Sequence, residues 1–146
     1  MMVTAVGDFA GSMVKLSGRP PVWIPADYLP QSITGIPEQA PPSTTVPAWW
    51  PSIFILWEIG PTSHPTVTIQ VHELHSGALA WWAVGGSSPQ APILLLPPPP
   101  DEPTPTEYSS YRTELFITHA GCYRMTVTWP GGNWSLNFAA GWGPNY

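Results

Sequence analysis

Proline decides where regular structure can form in this chain. Its ring fixes φ and removes a backbone donor, so helix interiors and central sheet ladders exclude it. Twenty-one of the 146 residues are proline, about three times ordinary usage. Nine of them lie between residues 20 and 51 and eight between residues 89 and 105. Few windows of a dozen residues lack one, and Ala, Leu, Glu and Lys are sparse, which speaks against a helix-rich fold. Residues before proline are pushed to extended geometry, and runs such as PPPPDEPTPT form a polyproline II rod. Sheet ladders are therefore expected in the windows left over, at 52–60, 66–88, 106–129 and 131–143.

Inside those windows the hydrophobic period is two. Val67, Ile69 and Val71 alternate with Thr68, Gln70 and His72, the pattern of a half-buried strand. A Ser76-Gly77 turn then leads to 79–84 as the returning arm of a hairpin. Leu115 and Ile117 mark a further strand. Tyr123, Met125, Val127 and Trp129 alternate with polar residues, as do Trp134, Leu136 and Phe138 after the turn Pro130-Gly131-Gly132-Asn133. Residues 53–59 are apolar almost throughout, which describes a central strand. Six or seven strands suffice for an all-β, two-layer antiparallel sandwich with long Pro-rich loops at about 19–51 and 89–105. Residues 1–18 are weakly patterned and are assigned as an N-terminal edge strand or arm, with 19–146 as a single domain. No repeat of 20 to 50 residues is evident, so a solenoid is not supported.

Composition narrows the function. Hydrophobic residues make up 43% of the chain and nine are tryptophan, the opposite of a disorder signature. Four cations, Lys15, Arg19, Arg112 and Arg124, stand against nine acids and cannot neutralise a phosphate backbone, so no nucleic-acid partner is expected. Charged residues reach only 9%, which suits a surface covered in an assembly or placed at a cell exterior rather than a free cytosolic monomer. The longest apolar runs, 53–57 and 78–84, fall far short of the roughly 18 residues of a spanning helix, so no membrane insertion is expected. The first twenty residues show no cationic segment followed by an apolar one, and no signal peptide is read from them. The single Cys122 cannot form an intrachain disulfide.

Few residues offer chemistry. In His72-Glu73-Leu74-His75 the two histidines are three apart at the end of an alternating strand and point to opposite faces, unlike the helical pair of a zinc protease. Solvated strand-end histidines are the better reading, and no metal or other cofactor is expected. Cys122 reads either as a buried structural thiol at the start of a strand or as an intermolecular thiol; nucleophilic catalysis lacks a base and an electropositive setting. Asp101-Glu102 sits in a proline-rich loop, and no glycine loop could cradle phosphate, so no enzymatic activity is expected. Asn133-Trp134-Ser135 fits a glycosylation sequon, although the turn alone explains the asparagine. The tryptophans remain. Two or three should fill the core, one of Trp81 and Trp82 facing inward and the other outward. Trp129 and Trp134 flank a turn and could pair across the hairpin. Trp49, Trp50, Trp82 and Trp142 are the candidates for exposed contact residues.

The segment His119-Ala120-Gly121-Cys122-Tyr123-Arg124-Met125-Thr126, with Leu115-Phe116-Ile117 before it and Ser135-Leu136-Asn137-Phe138 after it, resembles the C-terminal end of small, uncharacterised bacterial secreted or surface domains. Their signature reads Phe-Pro-x-x-Gly-Cys-Trp-x-(Val/Leu)-Thr, followed by a hairpin and a strand rich in Leu, Phe and Val. Leu79-Ala80-Trp81-Trp82 is similar to their upstream Leu-x-Trp-Trp strand. The resemblance covers about residues 79–140 and rests on about ten positions. It implies an immunoglobulin-like sandwich outside the cytoplasm, with no known enzymatic activity. Tyr123 stands where tryptophan is usual, Ile117-Thr118 replaces Phe-Pro, and the family's cysteine usually has an upstream partner that this chain lacks.

Together these readings describe a structural or binding module, extracellular or at a cell surface or part of a larger assembly, acting through Trp- and Pro-rich contacts with itself or other protein subunits. Two alternatives stand beside it: a carbohydrate-binding module whose exposed tryptophans stack on glycans, and a structural protein of a virion or filament.

Overall fold

The computed structural model describes residues 3–9, 12–25, 32–33, 53–61, 63–85, 89–98, 107–117 and 121–140. Every regular element among them is a β-strand: β1 (Val3–Phe9), β2 (Ser12–Arg19), β3 (Val22–Pro25), β4 (Ser32–Ile33), β5 (Ile53–Ile59), β6 (Val67–Glu73), β7 (Trp81–Val84), β8 (Ile93–Leu96), β9 (Ser109–Phe116), β10 (Gly121–Trp129) and β11 (Gly132–Ala140). They form a six-stranded sheet of order β1-β2-β3-β5-β9-β7 and a five-stranded sheet of order β4-β11-β10-β6-β8. All pairings are antiparallel except the two-residue contact of β4 with the end of β11.

Alternation builds the core between the sheets. Ile55, Trp57 and Ile59 on β5 and Leu115 on β9 face Val67, Ile69 and Val71 on β6 and Met125 and Val127 on β10. At its centre Trp57 lies 6.1 Å from Trp134 and 6.2 Å from Trp82 between ring centroids, within the spacing at which tilted aromatic pairs attract. Two indoles are anchored by hydrogen bonds. Trp57 Nε1 donates to Thr113 Oγ1, which in turn donates to the Ile55 carbonyl. Trp134 Nε1, from one sheet, donates to the Val22 carbonyl in the other at 3.0 Å. Gly18 makes room for that contact, since a Cβ there would meet the Val22 carbonyl at 2.5 Å and the Trp134 ring at 3.1 Å.

Several expectations change. Among the described residues eleven strands replace six or seven, because short strands form inside the Pro-rich stretches and the N-terminal segment contributes two. β3 ends in Pro25, which lies opposite Leu16 of β2 but beyond the two residues that pair with β5, so its missing donor is not required. β8 is an edge strand whose four residues stop at Pro97. The N-terminal segment is the β1–β2 hairpin, and β2 extends past residue 18 into the stretch assigned to the main domain. The hairpin expected at Ser76-Gly77 lasts only briefly: Leu79 bridges His72 and the Ala80 amide bonds to the Val71 carbonyl. The chain then leaves the five-stranded sheet, and β7 pairs with β9 in the other. The central place of β5 and the β10–β11 hairpin with its Pro130–Gly131 turn are as expected.

Candidate functional site

Parity along β5, β7 and β9 assembles an unusual outer face on the six-stranded sheet. β9 turns Ser110, Arg112, Glu114 and Phe116 away from the core, while β5 presents Phe54, Leu56 and Glu58. The register sets Phe54 and Ala83 on either side of Glu114, Leu56 beside Arg112, and Trp81 beside Phe116. Phe116 and Ala83 are buried, with Trp81 packed on them, so this face carries a small apolar cluster of its own. Next to it is an open cleft of about 260 Å³ lined by Phe54, Gly85, Arg112, Thr113 and Glu114. Oε2 of Glu114 is closed off from solvent and accepts no hydrogen bond among the described residues.

Further along the same face Glu58 is fully buried, between Trp23 of β3 and Ser110 of β9. The Ser110 hydroxyl donates to both carboxylate oxygens, at 3.0 Å to Oε2. Burial disfavours the charged form and outweighs the stabilising hydroxyl, raising the pKa from 4.5 to about 7. Tyr108 is pushed up as well, first by its own burial and then by the neighbouring Glu58 charge.

The five-stranded sheet turns a different surface outward. Thr68, Gln70, Thr126, Thr128, Ser135 and Asn137 form a polar ladder, within which Arg124 Nε donates to Asn137 Oδ1 at 3.0 Å. Its edge is apolar. Leu95 and Ile93 lie opposite Thr68 and Gln70, and Leu79 lies opposite His72, so the three share the outward face in one row. They are 57%, 49% and 39% exposed. At two residues per step the row is about 14 Å long.

The residues singled out by sequence fare unevenly. Trp82 is 1% exposed and belongs to the core; Trp81 is the outward member of that pair. The parity is set by pairing with β9, where Trp82 lies opposite the inward-facing Leu115. Trp49, Trp50 and Trp142 lie outside the described residues. Among the described residues five tryptophans, not two or three, are buried: Trp23, Trp57, Trp82, Trp129 and Trp134. Trp134 lies opposite Val127 and Trp129 opposite Gly132, so those two indoles are offset rather than paired across the hairpin. Cys122 is exposed at the start of β10, against the reading of a buried thiol, because its parity places it on the solvent face beside Tyr123, which points inward.

His72 is half-buried on the outer face opposite Arg124, and His75 is exposed in the turn. That turn is clasped by Glu73, whose Oε2 accepts the His75 amide at 2.7 Å and the Ser76 amide and hydroxyl. These bonds, the Ser76 amide foremost, hold its carboxyl below the usual range. Among the described residues no group of three or more His, Cys, Asp or Glu is placed to share a metal ion, and no helix is long and apolar enough to cross a membrane. Sequence reasoning missed Phe54, Arg112, Glu114 and Glu58. The alternation of β9 carries the signal for two of them once it is extended back from Leu115. No family model, curated protein or solved structure matches the chain.

Proposed function

We propose that the protein is a non-enzymatic structural and binding module of a cell exterior or a larger assembly, and that it associates with further copies of itself along the β8 edge. The observation that carries this reading is the row Leu79, Ile93 and Leu95. Burying each such side chain contributes about 1.5–3 kcal/mol, and among the described residues no strand pairs with the far side of β8. An edge of unpaired backbone groups with apolar side chains beside it is a template for another strand. Antiparallel pairing of β8 with its symmetry mate about a two-fold axis through Leu94 sets Ile93 of one copy against Leu95 of the other on the outward face.

The immunoglobulin-like assignment is supported by sheet order. The sequence β3-β5-β9-β7 facing β11-β10-β6-β8 follows the two sheets of that fold. It departs in chain order: β7, in the outer place of one sheet, precedes β8, in the outer place of the other. The Trp-centred contact reading retains no support from Trp82, and the aliphatic row takes its place.

Sedimentation of the full chain from micromolar to millimolar concentration, with and without reductant, tests the proposal. Concentration-dependent dimers that persist in reductant and are lost in an Ile93→Lys/Leu95→Lys double variant are expected. Dissociation by reductant would instead make Cys122 the link. A polymeric series would favour the filament or virion reading, and a monomer throughout would overturn self-association.

A further inference from the structure

We infer that the cleft on the outer face of the six-stranded sheet is a binding site for a single neutral sugar ring. The argument begins with Glu114. Its Oε2 is closed off from solvent and accepts no hydrogen bond among the described residues. With that oxygen unpaired, the group relies on its other oxygen, so a donor placed there by a ligand in the cleft counts for more than at a carboxylate solvated on both oxygens. Glu114 is only half-buried as a residue and lines the cleft.

Arg112 supplies the complement. It lies two residues earlier on β9, on the same face, also lines the cleft and is exposed. The two Cα atoms are about 7 Å apart by strand geometry. A carboxylate acceptor and a guanidinium donor at that spacing leave the cleft without net charge. A simple cation is drawn by one group and repelled by the other, and a simple anion likewise. The ligand that uses both is neutral and carries adjacent donors and acceptors along one edge.

The third wall fixes the other side of the ligand. Phe54 lies directly across from Glu114 in the β5–β9 register and is 42% exposed. An aromatic face beside paired polar groups suits a pyranose, whose C–H face packs on the ring while its hydroxyls donate to carboxylate and accept from guanidinium. Size agrees. The cleft, at about 260 Å³, lies just below the range of about 300–1,000 Å³ that holds drug-sized ligands. That is room for one ring, and the cleft is open, which leaves a path for a glycosidic link. The site is separate from the β8 edge, being built on the other sheet.

Titrating the 15N-labelled full chain with methyl β-glucopyranoside, methyl β-galactopyranoside and methyl α-mannopyranoside tests the inference. Saturable shifts confined to the amides of Phe54, Gly85, Arg112, Thr113 and Glu114 are expected with at least one of them. Glu114→Gln should weaken that affinity about tenfold, the scale of one charge-assisted hydrogen bond, while leaving the rest of the spectrum in place. Phe54→Ala should weaken it as well. The inference is overturned by the absence of saturable shifts with all three glycosides, by an unchanged affinity in Glu114→Gln, or by a cleft that responds to glycine, acetate or tetramethylammonium in their place.

Discussion

Replacing Glu58 by glutamine keeps the shape of the side chain and removes its ionisation. In the native state burial raises this carboxyl from 4.5 to about 7. Between those two values the folded protein holds a proton that the unfolded chain releases, so stability falls as pH rises. The Glu58 contribution is therefore most favourable below pH 4.5 and is lost through about pH 7. At about 1.36 kcal/mol per pH unit, the gap between the two values caps the loss at about 3.4 kcal/mol. Solvent at the exposed Ser110 screens the buried charge, and about 1–2 kcal/mol is the realistic figure. For a domain of this size that corresponds to about 3–6 °C in Tm. Thermal and urea unfolding of wild type and Glu58→Gln at several pH values from about 5 to about 8.5 give the measurement. Every other titratable group is common to both proteins, so the difference between the two isolates Glu58. Glu58→Gln should match wild type at the acid end and exceed it at the alkaline end, and the pKa of Tyr108 should fall once the neighbouring charge is gone. A difference that stays constant across the range would refute the reasoning, because it would mean that Glu58 titrates alike in both states.

Gly132→Ala places a methyl 2.7 Å from the Trp129 ring, which must shift; a loss of about 1–3 kcal/mol is expected in denaturant unfolding. Thr113→Val preserves shape but strands the buried Trp57 indole N–H, which now donates to Thr113 Oγ1, and should cost about 1–3 kcal/mol in the same assay; a neutral outcome would mean that the indole finds another acceptor.

Much of the fold is legible along the chain. The alternations of β6, β10 and β11 and the Pro-Gly turn are local patterns, and tertiary structure keeps them. What fails is parity where both faces are apolar. Trp81 and Trp82 are adjacent and alike, and only the register with β9 decides which turns inward. The cleft is illegible for a related reason: Phe54 meets Glu114 through strands sixty residues apart, a pairing that no local period records. Glu58 did leave a trace. A lone acid within Ile-Phe-Ile-Leu-Trp-Glu-Ile, in a strand apolar on both faces, forecasts a buried carboxyl. Proline misled at β3 and β8, where strands of four residues end before the ring's missing donor matters.

The passage of the chain from the β6 edge to β7 has a mechanical consequence. Residues 79–84 are bonded first to one sheet and then to the other, and Trp82 is held again by the Ala91 backbone just before β8 returns to β6. Pulling the layers apart at this margin cannot proceed by peeling one strand at a time, since each hydrogen-bonded stitch is loaded in parallel with the next. Within the core the layers are tied again by the Trp134 to Val22 bond between β11 and β3. Under tension the sandwich should resist slippage of one layer over the other until both ties give way together.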